Sequence, residues 1–300
     1  MNIISVSRRT DIPAWYGAWF LNRLRAGYAV YRNPFGGQYH RVGVRPEDVV
    51  AFVFWTRNAL PFLPILDGHV RHLYRSIFLY TINGYDRRLE PHVHDRADCI
   101  AGFERVSELL GPDAIHWRYD PIVLSERLNR DYHLRAFEKT ARDLEGKTSV
   151  CHTSFVQYYK KTERRLNRLA EETGESYRDP ADENKIALAK ELKSLAASHG
   201  IDLVSCCAPL LDKAGVDRGR CIDPELIARL RPDLTDLDLK PRPTREGCGC
   251  AASRDIGAYN TCRSGCVYCY ATDSAARSAA GGTSTAQGAF AKHDPRADCL

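Results

Sequence analysis

Eleven cysteines in a chain of 300 residues carry the most specific chemistry, because five of them, Cys248, Cys250, Cys262, Cys266 and Cys269, fall within 22 positions. An odd number of thiols does not read as a disulfide framework, and clustered reduced thiols hold metal. Cys262-Arg-Ser-Gly-Cys266-Val-Tyr-Cys269 sets three of them at C-x3-C-x2-C spacing, in a loop that Gly265 makes permissive and aromatic rings flank. Iron–sulfur cubanes normally take four cysteines, so a three-cysteine loop leaves one iron free to bind a substrate or cosubstrate, as an open position does at a catalytic zinc. The competing chemistry is structural zinc with a fourth ligand from Cys248 or Cys250, although the usual knuckle is built from Cys-x2-Cys pairs. Cys248-Gly249-Cys250 lies just upstream of the triplet, and Cys221 with Cys206 would complete a second set of four. That set would hold an auxiliary 4Fe-4S cluster, with Cys207 competing for the place of Cys206 and plain buried thiols as the alternative. Cys99 and Cys151 read as core thiols and Cys299 as a tail thiol.

These groups need a scaffold. Apolar, β-rich runs recur at Ile3 to Val6, Val49 to Trp55, Ser76 to Tyr80, Ala114 to Tyr119, Thr148 to Ser154 and Ile201 to Cys206. Most are followed by a helix signal. Asp11 with Pro13 opens a helix whose Trp15, Trp19, Phe20 and Leu24 share a face; Asp98 precedes a second that stops at Gly111, and two more end before Gly146 and Gly200. The alternation predicts an α/β fold, a partial (β/α) barrel of about six parallel strands with a C-terminal cysteine-rich cluster loop. Residues 1–208 form the barrel core, 209–247 a connector or small extension, 248–273 the iron–sulfur segment packed on the barrel, and 274–300 a flexible tail.

Each apolar run ends in polar groups: Ser7-Arg8-Arg9-Thr10-Asp11, Thr56-Arg57-Asn58, Thr81-Ile82-Asn83, Arg118-Tyr119-Asp120 and His152-Thr153-Ser154. Helix caps and loop polarity explain any one of them. In a parallel α/β sheet, however, the C-terminal strand ends converge on one rim, so five in succession predict a single site.

Composition narrows the classes further. With 44% hydrophobic and 27% charged residues, disorder of the whole chain is excluded, and no apolar run reaches the roughly 18 residues a membrane span needs. The N-terminus reads as a strand rather than a leader, so the expected location is cytoplasmic, with no membrane partner. A net charge of +5 permits a nucleic-acid partner without arguing for one. Lys160 to Arg168 beside Tyr158 and Tyr159 could track a nucleic-acid backbone, but a solvated helix face accounts for it better. His92 and His94 read as loop histidines, and the four tryptophans as core.

The triplet, with tyrosine before its last cysteine, resembles the radical S-adenosylmethionine superfamily. Gly265-Cys266-Val267-Tyr268-Cys269-Tyr270-Ala271 is similar to the spore photoproduct lyase branch, as are Thr10-Asp11-Ile12-Pro13, Thr56-Arg57 and Leu89-Glu90-Pro91 with the strand reaching Asp120-Pro121-Ile122. The chain as a whole resembles a bacterial family, domain of unknown function family 1848. Two departures stand out: the cluster loop normally follows the first barrel strand, whereas here it comes last, and Thr272 stands where the lyase branch tends to carry arginine. A circular permutation explains the first, since first and last barrel elements are spatial neighbours. It requires the segment near Ala251 to Tyr259 to lie beside the strand beginning at Ile3.

The resemblance implies a 4Fe-4S cluster on Cys262, Cys266 and Cys269 whose open iron chelates S-adenosylmethionine, producing a 5'-deoxyadenosyl radical that abstracts hydrogen from a substrate. Thr56, Arg57, Thr81, Asn83, Arg118 and Tyr268 are the cofactor-binding candidates it implies, and an external flavodoxin or ferredoxin the electron donor. A nucleotide or nucleic-acid base is the substrate class it suggests, and Thr272 weakens that transfer. The other class of reading is a non-catalytic iron–sulfur or zinc protein acting as a sensor or nucleic-acid-binding module.

Overall fold

The computed structural model describes residues 1–235, 237, 239–243, 245 and 247–273. The tail expected over 274–300, with Cys299, lies outside the described residues. Among the described residues ten strands form: β1 (Asn2–Val6), β2 (Tyr28–Arg32), β3 (Tyr39–Gly43), β4 (Val49–Thr56), β5 (Ser76–Thr81), β6 (Ile115–Ile122), β7 (Val150–Phe155), β8 (Asp202–Ser205), β9 (Asp217–Arg218) and β10 (Arg254–Asp255).

Eight of them make one sheet in the order β10-β1-β4-β5-β6-β7-β8-β9, and every neighbouring pair is parallel. With the helices between them this is a partial (β/α) barrel. Its six long strands are the six apolar runs of the sequence. The two-residue strands β9 and β10 extend the edges, and neither is long enough to leave a sequence signal. The β2–β3 hairpin was also not anticipated, because its strands are mixed in polarity and mostly exposed around the Asn33–Gly37 turn.

Side chains alternate across a strand, and here both faces are used. Ile4, Phe52, Phe54, Phe78, Trp117 and Tyr119 are buried in the large core shared with the helices. The helices that cover it include Arg96–Leu110, Arg130–Asp143 and Asp182–Ser198. The helix foreseen from Asp11 is two, Ile12–Trp15 and Gly17–Ala26, broken at Tyr16. Ile3, Val53, Ile77 and Leu79 face the other way, into a smaller core with Ile222, Leu226, Ile227, Cys250 and Ala251. The helix Pro224–Leu230, inside the segment expected to be a connector, therefore supplies the floor of the barrel. Arg231 fastens that floor by donating to the Val49 and Val50 carbonyls at the start of β4.

The last described segment closes on the first strand, with Ile4 opposite Arg254 and Ser5 opposite Asp255. Buried Asp255 accepts from the hydroxyls of Ser5 and Ser7, each at 2.7 Å, and from the backbone N–H groups of Arg8 and Gly257, each at 2.9 Å. Gly257 is required there: a Cβ would stand 1.9 Å from the Ser7 hydroxyl.

Candidate functional site

At the C-terminal strand ends the inner face turns polar and lines a cavity of about 520 Å³. Register explains which groups reach it. On β6, Ile115, Trp117 and Tyr119 point into the large core, so His116, Arg118 and Asp120 point inward; β7 adds His152 and Ser154, opposite Arg118 and just beyond. His116 and His152 are deep and bonded to each other at 3.1 Å, and burial pushes both rings down, His116 to about 3.

The three thiols of the triplet open onto the same cavity as Thr56, Arg57, Thr81 and Arg118. Residues separated by about 145 to 215 positions are thus neighbours. The loop is held from several sides: Trp15 Nε1 donates to Ser264 at 3.1 Å, the Tyr16 hydroxyl to the Thr261 carbonyl at 2.5 Å, and Val267 N–H to the Leu89 carbonyl at 2.9 Å. Arg165, on the basic helix Lys160–Thr173, turns inward and donates to the Cys269 and Thr272 carbonyls, while Arg164 and Arg168 stay exposed. His92 donates its backbone N–H to the Ser264 carbonyl at 3.2 Å.

A buried polar lattice joins the loop to the strand ends. The Tyr268 hydroxyl donates to Glu90 Oε1 and accepts from Arg57 and from Asn83 Nδ2, the last at 3.1 Å. Arg57 also pairs with Glu90 at 2.7 Å. Burial opposes the Arg57 charge, yet Cys266, Glu90 and Tyr268 outweigh it and raise its pKa. Glu90 thus sits at the centre of the lattice; its charge between an apolar residue and Pro91 was the signal in the sequence. Thr56 gives its hydroxyl to Asp11 at 2.8 Å, and Asp11 also accepts the backbone N–H groups of Ala14 and Arg57. Burial raises Asp11 to about 6 despite those bonds.

The candidates for holding a cosubstrate therefore divide. Thr56, Arg57, Asn83 and Tyr268 spend their polar atoms on one another, on Glu90 and on Asp11, and so position the loop. Thr81 and Arg118 line the cavity wall, with Arg118 Nη2 on Asp120 and Nη1 3.3 Å from Cys221 Sγ. Burial opposes the Arg118 charge and Asp120 with the nearby cysteines more than compensates, raising its pKa. Trp117 is core, but Trp55 borders the cavity with Arg8 over its ring at 5.2 Å.

The donor set fits a cluster held by three thiols: all three are soft ligands on one pinned loop beside a guanidinium. Burial lifts the thiols of Cys262, to about 11, and Cys266 higher still, so a bound metal would have to displace their protons. Among the described residues no three Cys, His, Asp or Glu side chains are set around the position of a single metal ion. Cluster ligands differ from such a set because each binds a separate iron.

A partial parallel (β/α) barrel with a thiol triplet on its C-terminal rim defines the class of this protein. Residues 3–271 match the family described as Domain of unknown function (DUF1848), and the chain belongs to that family. No curated protein matches the chain.

Proposed function

We propose that the protein is a radical S-adenosylmethionine enzyme, in which Cys262, Cys266 and Cys269 hold a 4Fe-4S cluster with one open iron. The observation that carries this reading is the meeting of the triplet with the strand-end groups on one cavity. When bound, cluster and cosubstrate would supply reductive carbon–sulfur cleavage and a hydrogen-abstracting radical. The chain's own part is placement. Glu90, Arg57, Asn83 and Tyr268 fix the loop against the strand ends, Thr81 and Arg118 offer a hydroxyl and a positive charge on the wall, and the floor under the cavity excludes water. The zinc alternative would recruit Cys248 or Cys250 to the triplet; Cys250 is instead buried in the smaller core and accepts the Ile222 N–H at 3.4 Å.

The mouth supports a flat, anionic substrate. Phe35 at the hairpin tip is 97% exposed, and it borders the cavity together with the exposed Tyr159, Tyr259 and Tyr270. Arg9 lies over the Tyr259 ring at 5.2 Å. Rings for stacking and guanidiniums for phosphate suit a nucleotide or an unpaired base. Anaerobically reconstituted, dithionite-reduced protein should form 5'-deoxyadenosine from added S-adenosylmethionine, and Cys266→Ala should not. Iron-loaded wild-type protein that forms none refutes the reading.

A further inference from the structure

A second group of thiols lines the same cavity, drawn from sequence positions outside the triplet. Cys206 follows β8, Cys221 follows β9, and Cys248 with Cys250 precedes β10, yet all four line the cavity. Cys221 Sγ is 3.6 Å from Cys206 Sγ, and Cys250 Sγ accepts the backbone N–H of Ile222, the residue after Cys221, at 3.4 Å. Two guanidiniums address this sulfur group: Arg118 donates to Cys221 Sγ at 3.3 Å, and Arg245 to Cys206 Sγ at 3.7 Å and to the Cys206 carbonyl at 3.2 Å.

Cys206 and Cys221, half-buried with guanidiniums on their sulfurs, differ from a wholly enclosed thiol. Cys151 is fully buried in the large hydrophobic core, with no cation on its sulfur. Thiols that face open volume with arginine N–H groups aimed at them suit ligands of an anionic cluster, because hydrogen bonds to sulfur stabilise its charge. The turn after β8 reinforces the point: Cys207 holds a left-handed φ of 52°, a conformation that a residue with a Cβ retains only where the surroundings demand it.

We propose that Cys206, Cys221, Cys248 and Cys250 bind a second four-iron cluster, on the wall of the cavity that the triplet also lines. The site shares no ligand with the triplet, so it stands or falls separately from the reading given above.

Iron and sulfide counted after anaerobic reconstitution test it. Wild-type protein should hold about eight irons and Cys221→Ser about four, while the triple variant Cys262→Ala, Cys266→Ala, Cys269→Ala should keep about four and stay brown. Cys207→Ser should keep the wild-type count. If the triplet alone fails to bind, wild-type protein holds about four irons that survive the triple variant and vanish in Cys221→Ser, which still supports the second site. A colourless, iron-free triple variant overturns it, as does one zinc without sulfide at these cysteines or a Cys206–Cys221 disulfide in anaerobic protein. Should Cys221→Ser not fold, Cys250→Ser gives the same count, with circular dichroism of the iron-free protein as the control.

Discussion

Replacing Asp255 by alanine should release the cysteine loop without unfolding the barrel. The carboxylate bridges β10 to both Ser5 and Ser7, and its loss strands four donors: two hydroxyls and the N–H groups of Arg8 and Gly257. At about 1 kcal/mol for each of the four bonds, the local cost is about 4 kcal/mol. That corresponds to a roughly 1,000-fold rise in the population of the undocked segment. Thiol alkylation followed by mass spectrometry reads it directly on the metal-free, reduced protein. Cys262, Cys266 and Cys269 should label orders of magnitude faster than in the wild type, while Cys99 and Cys151, under helices that do not depend on β10, keep their protection. Labelling of the triplet at the wild-type rate would refute the claim that Asp255 closes the barrel edge. Uniform acceleration at all five cysteines would show global rather than local loss.

Glu90→Ala leaves the Arg57 guanidinium buried without its partner and should cost about 3 to 5 kcal/mol in denaturant titrations, whereas Glu90→Gln, which retains an acceptor for Tyr268 or Arg57, should cost less. Equal losses in the two variants would argue against an ion pair. Acid should weaken the fold: His116 and His133 are held neutral by burial at about 3 and about 4, so their contribution is complete above pH 6.5 and each loses about 1.4 kcal/mol per pH unit below it. Asp11 works in the opposite direction, its contribution greatest below pH 3.8 and lost as pH rises to about 6, so two histidines outweigh one carboxylate and the melting temperature should fall from pH 6.5 to 4.5. A flat or rising profile over that range would contradict neutral burial of the rings.

Much of this arrangement was legible in the chain. Period-2 and unbroken apolar runs are local signals, so the six long strands could be read from Ile3 to Cys206, and the helices from their caps and periodicity. Thiol spacing within one loop is equally local, which is why Cys262, Cys266 and Cys269 stood out. The pairing of Ala251–Tyr259 with β1 followed from the order of motifs, and the pairing of Ser5 with Asp255 agrees with it.

Other features depend on distances that no local pattern encodes. Whether Thr56 faces solvent or spends its hydroxyl on Asp11, and whether Arg118 points to open cavity or to Cys221, is decided by which side chains the sheet brings within about 3 Å of each other. Glu90 became central only because Leu89 pairs with Val267 and sets the carboxylate between Arg57 and Tyr268. The floor helix Pro224–Leu230 looked like part of a connector because a single turn or two of amphipathic helix has no meaning until an inner sheet face lies opposite. Sequence determined the elements and the thiol spacing; tertiary packing decided which polar groups face the cavity, since desolvation and hydrogen-bond geometry depend on neighbours distant in the chain.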